Sequence, residues 1–232
     1  MSKADILHHI SMATLAAEAL PDDGPKEDPV AVAKDAKELL ALVLGGAKRA
    51  KLGEAGHGVV DYGVADFQGM VSENGCVVDL TGCAFSGFSV RKSANIEFVG
   101  GKVTGVDNGN DKNVNMGRVH ADCNQIKVRE MTFFGAADAE DFKTWDRAKW
   151  RNRRNSALLI QSPDSAAVDC IAVGVHSGFF ADGKGSHIEG CKVRGFSGDS
   201  LRATASETRV SGCYSECSVG AFAPEFHVDF LQ

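Results

Sequence analysis

Two short segments hold the densest set of reactive side chains in the chain, Asp199-Ser-Leu-Arg202 and His227-Val-Asp-Phe-Leu-Gln232. If Leu201 and Leu231 both point into a core on successive turns of the chain, then Arg202 and Gln232 point outward, one above the other. Asp199, Asp229 and His227 would then share their patch. Two carboxylates at such a spacing can act as acid and base on a glycosidic bond, or hold a hard cation such as calcium. A desolvated Arg202 or the His227 imidazole can take the proton next to a uronate carboxylate. The bland reading is that Asp199 and Asp229 tie corners through local hydrogen bonds while Arg202 and His227 are merely solvated.

A second candidate is the stretch 136–155, AADAEDFKTWDRAKWRNRRN, which contains both Trp residues of the chain. Asp138, Glu140, Asp141 and Asp146 precede Lys149, Arg151, Arg153 and Arg154, an order that suits a short helix and its dipole. Trp145 and Trp150 could stack on sugar rings while Arg151, Arg153 and Arg154 fork onto carboxylates. The competing reading is a surface helix that pins its aromatic residues onto the structure beneath it. A third is Asp107-Asn-Gly-Asn-Asp-Lys-Asn113, whose alternating oxygen side chains hint at calcium. It lacks the closing Glu of a calcium loop, and a plain Asn/Gly turn is the stronger expectation. Arg118 and His120 follow it on a strand-like run.

The elements that must position these groups change character along the chain. Residues 1–20 and 29–51 read as helices, separated by the Pro-rich linker Pro21–Pro29. Gly45-Gly46 is placed to end the second helix. From about residue 75 the helical period disappears, and short strand-like runs follow, each closed by Gly, Asn, Asp or Ser. Glycine is abundant, 26 of 232 residues, and proline scarce at 5, which suits many tight turns between short strands. The net charge of −6 disfavours a nucleic-acid partner bound through global charge. No apolar run is long enough for membrane insertion. The apolar stretch Ile10–Leu20 is interrupted by Ser11, Thr14 and Glu18 and makes a poor export signal.

The strand-like runs share a motif, apolar-x-x-small-x-apolar. Its copies are Leu80–Phe85, Phe98–Val103, Val128–Phe133, Val168–Val173, Ile188–Val193 and Val210–Ser215. Their starts are 18, 30, 40, 20 and 22 residues apart, a period near twenty with insertions, as in a solenoid. The middle position holds Cys83, Gly101, Met131, Ile171, Cys191 and Cys213, so three of the seven cysteines are expected in one buried, reduced interior column. A second strand per turn is traced through Ser156-Ala-Leu158, Ser177-Gly-Phe179, Asp199-Ser-Leu201 and Asp229-Phe-Leu231.

The stretches Asn95-Ile-Glu-Phe-Val-Gly-Gly-Lys-Val103, Ser186-His-Ile-Glu-Gly-Cys-Lys-Val193, Gly198-Asp-Ser-Leu-Arg202 and His227-Val-Asp-Phe-Leu-Gln232 resemble the right-handed parallel β-helix of the pectate-lyase-like superfamily. That group includes polysaccharide lyases, polygalacturonase-type hydrolases and phage tailspikes. The resemblance covers about residues 75–232 and implies an all-β solenoid: a right-handed, single-stranded parallel β-helix over 53–232, preceded by a helical segment and linker, 1–52. The helix before residue 45 would cap the first coil near Leu80. The resemblance also implies an outer groove that binds polysaccharide, with Asp199, Arg202, His227 and Asp229 as catalytic candidates and Gln232, Trp145, Trp150, Arg151, Arg153 and Arg154 as substrate-binding ones. The Asn-Thr-Asp, Asp-Asp and Gly-His-Gly segments of polygalacturonases are missing, which favours a lyase over a hydrolase; calcium is an optional cofactor. A non-catalytic adhesion or phage-tail module is the alternative, extracellular or virion-associated, and a virion origin would imply trimers. The last run stops in mid-strand at Gln232, which predicts an incomplete solenoid with an exposed, self-associating edge.

Overall fold

The computed structural model describes residues 30–53, 59–109, 113–218, 229 and 231. Its strands form three sheets, and every strand pair in them is parallel. Each turn of chain adds one strand to each sheet, the arrangement of a parallel β-helix. The first face has eight strands, from Ala31–Ala33 through Val71–Asp79, Ala94–Val99 and Asn124–Arg129 to Arg209–Ser211. The second has seven, from Val60–Asp61 to Tyr214–Ser218, and the third six, from Val64–Gln68 to Leu201–Ala203.

Alternation within each strand sends one set of side chains inward, and the register stacks them. The first-face column runs Ala50, Val78, Phe98, Val128, Ala167, Ile188, Val210. On the third face Phe88, Gly117, Leu158, Phe179, Leu201 and Leu231 succeed one another, so the 30-residue step from Leu201 to Leu231 is one coil. Phe67, Phe85, Phe88 and Phe98 fill the early coils, with ring centroids 5.1–6.3 Å apart. Each fully buried Phe contributes on the order of 2–3 kcal/mol.

A left-handed residue makes the corner from first to second face: Gly100, Glu130, Asp169, Gly190 and Gly212, with φ between 51° and 74°, joined at the first of these by left-handed Gly101. These residues are the third position of the repeat, except at two copies that were read out of step. Ala167, not Val168, lies in the column, so Cys170 replaces Ile171 among the stacked small residues. At the first copy the turn Leu80-Thr-Gly82 is two residues longer, and Val78 is the stacked residue. An L side chain in this conformation costs roughly 1–2 kcal/mol. Glu130→Gly is therefore expected to raise stability by about 1 kcal/mol, less whatever its exposed pair with Arg129 contributes. A denaturation midpoint that falls would refute this account of the corner.

The helix expected over 29–51 is shorter. Ala31–Ala33 is a strand paired with Ala50–Leu52: Val32, with Val30 before it, favours extended backbone, and the sheet edge supplies ladder hydrogen bonds. The helix is Ala36–Leu44, capped by Asp35, whose Oδ1 accepts from the Lys37 and Glu38 amides at 2.9 and 2.8 Å. Gly45 and Gly46 end it as expected, and Leu39 and Val43 join the solenoid core. The segment 1–20 and the linker lie outside the described residues.

Candidate functional site

The outer side of the third face carries a polar track built by register alone. One outward column is Asp66, Ser89, Arg118, Leu159, Phe180, Arg202. Two residues further along each strand come Gln68, Arg91, His120, Gln161, Asp182 and Thr204; amide bonds such as His120 N to Val90 O and Gln161 N to Val119 O hold them in step. Successive coils are about 4.8 Å apart, so the track spans roughly 25 Å.

Its cations are held in different ways. Arg202 donates to Asp182 Oδ2 at 3.0 Å and lies 3.9 Å from the centroid of the Phe180 ring; Thr204 donates to the other Asp182 oxygen at 2.8 Å. Arg91 lies 3.7 Å from Asp66. Arg118 instead sends Nε and Nη2 to the neutral amide oxygen of Gln161, at 2.9 and 2.6 Å, and pairs with no carboxylate among the described residues. His120 stands between these arginines, its Nε2 3.4 Å from Ser89 Oγ. Partial burial first, then the Arg91 and Arg118 cations, hold its pKa below the usual histidine value. The imidazole is therefore neutral at neutral pH and able to accept a proton.

Asp199 and Asp229 occupy equivalent corner positions on adjacent coils, as the Ser200 amide bond to Asp229 O (2.9 Å) and the Leu201–Leu231 bridge show. Arg202 points outward on the same strand, but its charge is taken by Asp182 from the preceding coil. His227 and Gln232 lie outside the described residues. Behind this corner sits a group of which the sequence singled out only Arg154, as a sugar-binding candidate. Arg154 donates to His176 Nε2 at 3.1 Å, which leaves the proton on Nδ1 to be donated to Ser197 Oγ at 2.9 Å. Both His176 and Ser197 are buried.

The 136–155 insertion is a packing unit. Trp145 and Trp150 are only 7% and 4% exposed, and they cluster with Phe142, Ala139 and Val173. Buried indoles present no face for a sugar ring, so this arrangement matches the competing reading of a helix pinned by its aromatics. Its floor is glycine: a Cβ on Gly195 would overlap the Phe142 ring, and one on Gly174 would come within 3.1 Å of Trp145. Asp146 caps the helix Arg147–Asn152 by accepting from Lys149 N. Arg153, 13% exposed at its side chain, stacks on Trp145 and pairs with Asp107 and Asp138. Arg151 is exposed. The Asp107 carboxylate is thus engaged by a guanidinium, and residues 110–112 of the suspected calcium loop lie outside the described residues. Among the described residues no group of three or more His, Cys, Asp or Glu side chains is arranged to hold a metal.

Arg118 and His120 were legible as a neighbouring pair, whereas Asp66, Arg91, Gln161 and Asp182 carried no local signal. They reach the track from four coils of unequal length. Among the described residues no helix is long and apolar enough to cross a membrane. No family model matches the chain, and no curated protein and no solved structure matches it.

Proposed function

We propose that the third face binds an extended acidic polysaccharide, with Arg118 receiving a uronate carboxylate and His120 acting on the adjacent C–H. The observation that carries this reading is a half-buried guanidinium, held by a neutral amide and uncompensated by any described carboxylate, beside a neutral imidazole on the same strand. A flat track of stacked side chains suits a polymer whose sugars repeat at a similar spacing. Arg118 would neutralise the carboxylate and so acidify the neighbouring carbon, and His120 would accept the proton as the glycosidic oxygen leaves. Asp182, two coils away, and Arg202, three coils away, would contact sugars further along the polymer. In this reading the three parallel sheets and their left-handed corners belong to a right-handed β-helix of the pectate-lyase-like superfamily, with the helix Ala36–Leu44 as its N-terminal cap.

The test is binding and cleavage on a panel of polyuronates, with and without calcium. Arg118→Ala is expected to weaken binding by roughly 10- to 100-fold, the range of a lost charged hydrogen bond. His120→Ala should bind within about twofold of the native chain while the ultraviolet absorbance of new unsaturated uronate disappears. Native chain that binds without cleaving would reduce the site to a binding module. Binding indifferent to Arg118→Ala would remove the third face from the reading altogether.

A further inference from the structure

The repeat places three cysteines on successive coils of the second face in one column. Lys192 N donates to Cys170 O and Tyr214 N to Cys191 O, both at 2.9 Å, which sets Cys170, Cys191 and Cys213 in register. Each thiol bonds the carbonyl two residues before it, Val168, Glu189 and Ser211 respectively, at 3.3–3.4 Å. The three side chains therefore share one orientation. All three thiols are free. Cys170 and Cys191 are fully buried, whereas Cys213, expected to be buried, is half-exposed. Adjacent parallel strands put in-register Cα atoms about 4.8 Å apart, inside the roughly 4.4–6.8 Å window of a disulfide.

We infer that Cys213 and Cys191 form a thiol–disulfide exchange site for low-molecular-weight disulfides. The Cys213 thiolate attacks one sulfur of the incoming disulfide, forms a mixed disulfide and expels one thiolate. Cys191 then attacks the Cys213 sulfur, its proton passing to the second thiolate as that leaves. Two protein thiols become one disulfide, and the small disulfide is reduced to two thiols. The Cys191–Cys213 bridge staples two neighbouring coils. Only Cys213 can begin the sequence, because it alone of the column reaches solvent. The adjacent Cys191 thiol lowers the Cys213 pKa from the usual thiol value, which increases the thiolate fraction at neutral pH. The neighbouring Cys170 and Cys213 sulfurs, and burial, push the Cys191 thiol up, consistent with a resolving rather than an attacking group.

Dithionitrobenzoate is the probe, used on full-length chain carrying Cys217→Ser so that the neighbouring thiol does not count. Rapid release of two equivalents of thionitrobenzoate with no adduct on the protein is expected. Adding Cys191→Ala should leave one equivalent and a stable adduct on Cys213, and Cys213→Ala should abolish the rapid release. In the unsubstituted chain, the same treatment should link the tryptic peptides 185–192 and 210–232 through Cys191 and Cys213, a readout that needs no variant to fold. A stable one-to-one adduct while Cys191 is present, rapid release that survives Cys213→Ala, or absence of the linked peptide would each overturn the inference.

Discussion

Replacing Gly135 with alanine is expected to cost on the order of 4 kcal/mol, a large part of the ~5–15 kcal/mol that holds a domain of ordinary stability together. Gly135 ends a second-face strand, and its amide donates to Val173 O on the next coil at 2.9 Å. A Cβ there would lie 2.7 Å from the Gly174 carbonyl carbon and closer still to its oxygen. The obstacle is backbone, so no rotamer relieves it, and two coils must part at Thr132–Phe134 and Ile171–Val173, where they are hydrogen-bonded. The same shift would disturb the Gly135 carbonyl, which accepts from Asn155 Nδ2 at 2.7 Å. Gly82→Ala is the matched comparison: its φ is +84° but nothing lies within 4 Å of the added Cβ, so only about 1 kcal/mol of backbone strain is expected. Urea midpoints measure both. Equal losses in the two variants would mean that close coil approach at Gly135 is not what excludes a side chain there.

The solenoid was legible because its repeat is written in positions that every coil must satisfy. Phe98, Val128, Ile188 and Val210 were read in their true register, since an apolar residue, a left-handed corner and a small residue recur at fixed offsets. The slip at Val168 has a physical reason. In Ala166-Ala-Val168 all three residues are apolar, so period-two alternation cannot tell inward from outward. The marker that could have settled it, the left-handed corner, is Asp169 there instead of Gly, and Asp also tolerates that conformation. The third-face strands were traced correctly through Leu158, Phe179, Leu201 and Leu231; Phe179 and Leu201 begin strands directly after Gly178 and Ser200, whereas Leu158 lies within Asn155–Ile160.

The candidate site was far less legible. A charged residue gains its role on a solenoid from the residue one coil away, and coil length varies with every insertion. Arg202 reads locally as a partner of Asp199, yet it meets Asp182, 20 residues earlier and one coil below. Trp145 and Trp150 look like an exposed aromatic loop because the glycines that floor their cluster, Gly174 beneath Trp145 and Gly195 beneath Phe142, lie well downstream and resemble ordinary turn glycines. His176 gave no signal at all: nothing local distinguishes a buried imidazole clamped by Arg154 and Ser197 from a solvated one.

That imidazole makes a strong prediction about acid. Burial, and then the Arg154 cation, bring the His176 pKa down from 6.5 to about 4. The folded chain therefore holds His176 neutral where the unfolded chain would protonate it. Its contribution to stability is fully present above pH 6.5, falls as the pH drops from 6.5 toward 4, and levels off below that. The loss amounts to about 3 kcal/mol, at 1.36 kcal/mol per unit. Protonation also removes the lone pair that Arg154 occupies, placing two cations where one hydrogen bond had been. Carboxylates elsewhere add their own acid dependence, so the measurement is a difference. Urea midpoints of native chain and His176→Gln are compared at pH 7, 5 and 4, the glutamine amide oxygen being able to accept from Arg154 without titrating. The native chain should be the more stable at pH 7, and the gap should close or reverse by pH 4. A gap that stays constant across this range would show that His176 is not held neutral in the fold, and that Arg154 does not donate to it.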